Sequence, residues 1–205
     1  MMPDFRIFPA KPESLFLLAC LFTVMCCTLA VLGAVAVDFR EFRKREGVKK
    51  EQKSIVETGS MMLFFFLFYL LLRSGTGRID NITVQVRLIL AAVGTLLVVA
   101  GCFVNIRGRL DLGKNWANQI RIYKDHSLVI GGMYGIVRHP LYASLIWMFI
   151  GASLLYVNYY ALFSTLLIFL PFMYYRARQE EKLLENEFGE YRAYRKKVGM
   201  FFPKP

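Results

Sequence analysis

Five apolar segments constrain the fold of this chain more than any other feature of its sequence. A helix needs about 20 apolar residues to cross the roughly 30 Å hydrocarbon core of a bilayer. The segments cover approximately residues 14–37, 54–72, 86–104, 141–157 and 159–175. Because 56% of the residues are hydrophobic and concentrate in these runs, we predict an all-α, polytopic membrane protein with five transmembrane helices. We expect a single integral membrane domain over residues 1–205, with a tight helical hairpin at Asn158.

Lysine and arginine lie mainly in alternate loops between these segments. Seven lie in residues 38–53, six in residues 105–140 and eight in the tail from Arg176, whereas the opposite ends carry four. Basic residues near membrane spans stay on the cytoplasmic side. We therefore expect the N-terminus outside, the C-terminus in the cytoplasm, and the cell membrane as location if the source is prokaryotic. Membrane lipids account for the net charge of +11, so no nucleic-acid partner is expected.

The cysteines and the short loops narrow the kinds of site that are possible. All four cysteines lie inside the predicted spans, which favours neither a disulfide framework nor a zinc site. We therefore expect no metal. The cytoplasmic segments are too short for a dinucleotide-binding domain, and no Gly-x-Gly-x-x-Gly motif follows a strand. Any cofactor must bind where loop, tail and helix ends meet.

The segment 126–142 is the strongest candidate for a site, because it holds both histidines of the chain, His126 and His139. Pro140 suits the first position of a helix. An arginine and a histidine facing lipid head groups would explain residues 138–140 without any site. That interpretation leaves the upstream glycines unexplained, and glycine lets a backbone approach a ligand closely.

The tail carries a helical pattern with two adjacent carboxylates. Its apolar residues recur three and four positions apart and predict an amphipathic cytoplasmic helix over approximately residues 176–198, which Gly189 weakens. Glu180 and Glu181 lie at the edge of the apolar face. They form either a solvated acidic pair beside basic neighbours or carboxylates that bind a cationic or hydroxyl-rich ligand.

A set of motifs covers close to half the chain, from about Leu112 to Pro203. It comprises Leu112-Gly113-Lys114-Asn115-Trp116, His126-x-Leu128-Val129-x-x-Gly132-x-Tyr134, Arg138-His139-Pro140-x-Tyr142, Glu180-Glu181-x-x-Leu184-x-x-x-Phe188-Gly189, Tyr191, Tyr194 and Phe202-Pro203. Together they resemble the isoprenylcysteine carboxyl methyltransferase family in its short five-span prokaryotic form, within the wider group that includes phospholipid N-methyltransferases. One departure is that a single residue separates Gly189 from Tyr191, where the family has two. This shifts the helical phase of Tyr191 and Tyr194.

The resemblance implies S-adenosylmethionine as the methyl donor, bound without a metal by the cytoplasmic loop and the tail helix. It implies binding residues at His126, Leu128, Val129, Gly132, Tyr134, Arg138, His139, Glu180 and Glu181. It also implies catalytic residues at Arg138, His139 and Tyr142. A lipid or lipidated acceptor would enter from the bilayer.

The acceptor itself stays open at this point. The resemblance favours the carboxylate of an isoprenylated cysteine, which is anionic at neutral pH and needs no general base. The alternatives are a phospholipid of the phosphatidylethanolamine type, whose ammonium group needs a base such as His139 or a glutamate, and another lipophilic or thiol acceptor. A membrane scaffold without activity would leave the glycines, histidines and glutamates unexplained.

Overall fold

The structure is a computed structural model that describes residues 12–42, 48–52, 55–113, 120–123 and 127–204. Its helices are α1 (Pro12–Phe42), α2 (Ile55–Ser74), α3 (Val84–Leu112), α4 (Pro140–Leu155), α5 (Tyr159–Ser164), α6 (Leu170–Glu187) and α7 (Tyr191–Lys197). A short 3-10 turn, Gly132–Gly135, precedes α4. The predicted all-α class is confirmed. His126 and the predicted motif residues 114–116 lie outside the described residues.

Three helical stretches of the described chain are long and apolar enough to cross a membrane, namely Pro12–Arg40, Val84–Leu112 and Tyr159–Glu187. Two shorter apolar helices, Gly59–Ser74 and Pro140–Leu155, accompany them. Their outward side chains are largely apolar; Phe22, Met62 and Leu96, for example, are exposed. A chain that shows so much apolar surface on long helices is an integral membrane protein.

Small residues let α3 and α4 pack closely. Gly94, Gly101 and Gly108 recur every seven residues along the face of α3 that meets α4. A Cβ at Gly101 would lie 2.8 Å from the Ser144 carbonyl oxygen and 2.6 Å from Met148 Cγ. In a bilayer, helices associate through such close packing because lipid offers no hydrophobic driving force between them. This helix pair therefore forms a rigid support for whatever its ends carry.

The helix ends that adjoin the Lys/Arg-rich segments lie together at one end of the bundle. Arg109 near the end of α3 pairs with Asp38 near the end of α1. The start of α4 contacts α6 through Tyr142 and Arg176. At the opposite end, the Asn158 side chain donates to the carbonyls of Leu71 and Thr76 and caps α5. Polar contacts thus tie the helices together at both ends of the bundle, and the side of the membrane on which each end lies stays a prediction.

The fifth span and the tail differ from the sequence expectation of a span ending near residue 175 and one tail helix over residues 176–198. The helix runs unbroken from Tyr159 to Glu187, with a π-helical stretch at Thr165–Phe169. Pro171 explains that stretch, because its ring removes a backbone donor and displaces the preceding turn. The tail then breaks at residues 188–190 and continues as the short helix α7.

A two-stranded antiparallel ribbon was not anticipated. It pairs β1 (Val48–Gln52) with β2 (Ile120–Tyr123), with Lys50 opposite Ile122. The ribbon joins the segment between α1 and α2 to the segment between α3 and α4, and β2 contacts α6. It therefore lies at the same end of the bundle as the residues described next.

Candidate functional site

The C-terminal segment holds the backbone of the loop that precedes α4. The Arg138 amide donates to the Gly199 carbonyl over 2.8 Å, and the His139 amide donates to the Met200 carbonyl over 3.1 Å. Phe201 anchors this segment, because its side chain is buried against α4 and α6. Residues about 60 positions apart in sequence are thus fixed side by side.

The Arg138 guanidinium donates to three partners at once. Its Nε donates to Glu181 Oε1 over 2.8 Å. Its Nη1 donates to the carbonyl of Val198 and, over 3.2 Å, to that of Arg195. The planar fork of arginine suits such multiple bonding. Arg138 therefore ties α6 to the C-terminal segment.

Glu181 lies at the centre of a cationic cluster and is 1% exposed. Besides Arg138, its carboxylate lies 3.2 Å from Arg178 Nη1, 3.4 Å from His139 Nε2 and 3.7 Å from Arg195 Nε. A buried carboxylate needs such partners, because an unpaired charge away from water is costly. The solvated alternative for Glu181 is therefore wrong.

Glu180 belongs to a second set of contacts beside the first and is more accessible. Its Oε2 accepts a hydrogen bond from the Tyr142 hydroxyl over 3.0 Å and lies 3.6 Å from His139 Nδ1. Arg176 Nε in turn donates to the Tyr142 oxygen over 3.1 Å. The Glu180 side chain is 35% exposed, so this carboxylate keeps room for another partner.

His139 lies between the two glutamates and stacks on Tyr142, with ring centroids 5.5 Å apart. Burial lowers the pKa of His139, whereas the hydrogen bonds and negative charges of Glu180 and Glu181 raise it, and together they outweigh burial. The net pKa of His139 is raised above its ordinary value of 6.5. The two glutamates therefore favour the protonated form of the imidazole relative to a free histidine.

Three tyrosines enclose the cluster from the side of the C-terminal segment. The Tyr194 hydroxyl donates to the Tyr134 carbonyl over 2.5 Å. Burial raises the pKa of Tyr134, and the negative charge of Glu180 raises it further. The hydroxyl of Tyr191 is buried and has no hydrogen-bond partner within the described part of the chain. A buried hydroxyl without a partner is unusual, and it marks a position where a bound molecule would find a donor.

The 3-10 turn before α4 is fixed by α3. Asp111 Oδ2 accepts from the Met133 amide over 2.8 Å. Gly132 has a φ of +58°, and a Cβ there would collide with the Asp111 carboxylate. The glycine predicted to lie against a ligand is therefore required by this turn and its close contact with Asp111.

The structure brings most of the residues predicted from the sequence into one place. Arg138, His139, Tyr142, Glu180 and Glu181 contact one another, and Tyr134 lies beside them. Leu128 and Val129 are partly buried in the segment that leads to this turn. The cluster contains further residues that the sequence analysis did not single out: Arg176, Arg178, Arg195 and Asp111. Spacing provided a signal for two of them, since Arg176 precedes Glu180 by four residues and Arg178 precedes Glu181 by three on one helix.

The cluster offers carboxylates, guanidinium groups, an imidazole and aromatic rings at one end of the helices. Such a set can hold a zwitterionic ligand with a carboxylate, an ammonium group and hydroxyls. Within residues 12–42, 48–52, 55–113, 120–123 and 127–204, no group of three His, Cys, Asp or Glu side chains is arranged to hold a metal ion.

Sequence comparisons place these residues among known proteins. Residues 92–186 match the isoprenylcysteine carboxyl methyltransferase (ICMT) family. Over 114 residues the chain is 34% identical to the protein-S-isoprenylcysteine O-methyltransferase of Saccharomyces cerevisiae, covering 54% of this chain and 48% of the yeast protein. Over 81 residues it is 37% identical to the protein of the same name in Schizosaccharomyces pombe, covering 39% of this chain and 34% of that protein.

The chain spans about half the length of the Saccharomyces relative that it matches. The family match contains α4, most of α6 and the residues Arg138, His139, Tyr142, Glu180 and Glu181, but it stops before α7. Over residues 92–186, which carry these five residues, the chain is similar to the isoprenylcysteine carboxyl methyltransferase family.

Proposed function

We propose that the protein is an S-adenosylmethionine-dependent methyltransferase that acts at the cytoplasmic membrane border on the carboxylate of an isoprenylated cysteine. The observation that carries this proposal is the cluster in which Arg138, His139 and Tyr142 at the start of α4 meet Glu180 and Glu181 of α6. These are the positions that the family resemblance assigns to the site. The names of the relatives support the same reaction.

The residues of the cluster fit the proposed methyl donor. S-adenosylmethionine supplies a methyl group activated by a sulfonium cation. The partly exposed carboxylate of Glu180 would accept hydrogen bonds from its ribose hydroxyls or its ammonium group, and the unpartnered Tyr191 hydroxyl adds a donor. The rings of Tyr142 and Tyr134 offer faces that attract cations. Leu128, Val129 and Gly132 would line the adenosine side, and His126, outside the described residues, is assigned to the donor by the family resemblance alone.

The charge balance of the cluster favours an anionic acceptor. It contains four guanidinium groups and three carboxylates; these are Arg138, Arg176, Arg178, Arg195, Glu180, Glu181 and Glu185. Asp111, which fixes the turn before α4, is balanced by its own ion pair with Arg107. The raised pKa of His139 favours a further positive charge on its imidazole. A carboxylate acceptor entering from the bilayer would meet a net positive site, which orients it and partly replaces the water it loses.

The state of His139 bears on the phospholipid alternative. An ethanolamine ammonium must lose a proton before it can accept a methyl group, and that requires a base. The two glutamates raise the pKa of His139, so a larger fraction of its imidazole is already protonated than in a free histidine, which disfavours it as that base. A carboxylate acceptor has a pKa of about 3.3–3.7 and needs no such base. The electrostatics of the cluster thus support carboxyl methylation over N-methylation.

The pH dependence of the rate tests this proposal. With a carboxylate acceptor, the rate is expected to stay flat from about pH 6 upward, because no acceptor proton must be removed. An amine acceptor would give a rate that climbs through neutrality. Arg138→Lys is expected to lose most of the rate while still binding the methyl donor, because lysine lacks the planar fork whose separate nitrogens hold Glu181 and the Val198 carbonyl. A normal rate in that variant together with a steep alkaline rise in the wild type would favour the phospholipid reaction.

A further inference from the structure

The C-terminal strap, which we define as residues 191–204, has two faces of different character. Its inner face carries Tyr191, Tyr194 and Arg195, which contact the cluster. Its outer face carries Arg192, Lys196 and Lys197, all exposed. Among the described residues, no carboxylate lies within ion-pair distance of these three side chains, whereas Arg195 pairs with Glu185. The outer face is thus a cationic surface whose counter-charge lies outside the described protein.

The strap also carries an apolar anchor beside this cationic surface. Phe201 is buried between α4 and α6, and the adjacent Phe202 is 62% exposed. The Phe202 ring lies 6.4 Å from that of Trp147, two turns into α4, or about 10 Å along the helix from its first residue. An exposed aromatic ring at that depth, next to exposed lysines, has the composition of a segment that lies in the membrane interface.

We propose that the outer face of the strap binds anionic lipid head groups and that this contact controls the position of Arg138 and His139. Clusters of Lys and Arg next to membrane spans attract anionic lipids, and each contributes about fivefold to the binding equilibrium. Lys204 extends the same surface, because its Nζ donates to the Lys196 carbonyl over 2.9 Å. The part of the proposal that concerns catalysis rests on the methyl-transfer function proposed above.

The backbone of the strap provides the connection to the site. Gly199 and Met200 accept hydrogen bonds from the amides of Arg138 and His139. The Val198 and Arg195 carbonyls bind the Arg138 guanidinium. When lipids hold the strap down, they favour the state in which these four contacts are formed. When the strap lifts, the Arg138 guanidinium loses the two backbone carbonyls and keeps only Glu181 of its three acceptors.

Hydrogen exchange of the full chain in lipid nanodiscs tests the proposal. The protein is placed in phosphatidylcholine alone or in phosphatidylcholine mixed with phosphatidylglycerol, and exchange is followed for Arg138, His139 and the strap. We expect slower exchange in the anionic nanodiscs and a smaller effect at high salt. The double variant Lys196→Gln/Lys197→Gln is expected to weaken the binding equilibrium for anionic lipid by up to about 25-fold, so the difference in exchange between the two nanodiscs shrinks.

A charge-matched control is Arg40→Gln/Lys182→Gln, which removes two exposed basic side chains at the same end of the bundle but outside the strap. It is expected to keep the lipid effect. Equal exchange in the two lipid compositions, or equal loss in both double variants, would overturn the proposal whatever the rate of methyl transfer. Slower exchange in anionic lipid with no methyl transfer in any nanodisc would support the lipid surface and contradict the proposed function.

Discussion

Replacing Glu181 by Gln tests how much the buried ion pairs of the cluster stabilise the protein. Glutamine has nearly the same size as glutamate, but it loses the negative charge and turns an amide donor toward cations. The side chains of Arg138 and His139 are only 8% and 4% exposed. Arg138 would keep a buried positive charge without this carboxylate, and His139 would be left with Glu180 at 3.6 Å. Removing one member of a buried ion pair typically costs about 3–5 kcal/mol.

The remaining partners of Glu181 add little to this estimate. Arg178 and Arg195 are 37% and 36% exposed, so water screens them, and such pairs are worth about 0–1 kcal/mol each. We therefore expect Glu181→Gln to lower the free energy of unfolding by about 3–5 kcal/mol, almost all of it from the buried pair with Arg138. Loss of methyl-donor affinity in this variant would follow from the disturbed cluster.

Unfolding of the purified protein in detergent, followed by circular dichroism, measures this effect. The matched control is Glu185→Gln, which removes a carboxylate from the same helix but breaks only the partly exposed pair with Arg195. That change is expected to cost about 0–1 kcal/mol. Glu180→Gln should unfold nearly as the wild type does but bind S-adenosylmethionine about 10- to 150-fold more weakly, as expected for one lost charged hydrogen bond. A Glu181→Gln variant as stable as Glu185→Gln would refute the reasoning.

Three further predictions concern the loop, the histidine and the topology. Gly132→Ala should lose donor binding, and its free energy of unfolding should fall by about 1–2 kcal/mol from the left-handed backbone alone. Gly131→Ala, with open space around it, should bind the donor as the wild type does in calorimetry. NMR titration of the ring should give a midpoint for His139 above 6.5. Its imidazolium then contributes stability that is full below pH 6.5 and is lost as pH rises through the raised pKa, and a midpoint at or below 6.5 would remove the proposed ion cluster. Single cysteines at Lys49 and Lys197 should react with a membrane-impermeant reagent from the same side, and labelling from opposite sides would overturn the topology.

The helical class and the spans could be predicted because hydropathy reports directly on bilayer burial. The end of the fifth span could not, because the polar residues after Tyr175 are themselves good helix formers and the helix continues through them. The residues change from apolar to polar after Tyr175, but the backbone stays helical to Glu187. The ribbon has no hydropathy signal either, since its register depends on pairing between distant loops.

The sequence could predict which residues form the site, but not which of them contact one another. The motifs identified Arg138, His139 and Glu181, whereas the burial of Glu181 depends on the C-terminal segment about 60 residues beyond Arg138. Backbone pairing of that kind leaves no periodic pattern in the sequence. The altered spacing after Gly189 also has a structural answer. The helix break at residues 188–190 resets the phase, so that Tyr191 and Tyr194 still face the cluster.

The most direct test of the central claim is a methyl-transfer assay with radiolabelled S-adenosylmethionine that compares a small farnesylcysteine acceptor with phosphatidylethanolamine. A methyl ester is hydrolysed by base, whereas an N-methyl amine or a thioether is not. We predict transfer to farnesylcysteine that is base-labile and that depends on the carboxylate of the acceptor. Base-stable transfer to phosphatidylethanolamine, with none to farnesylcysteine, would contradict the proposal.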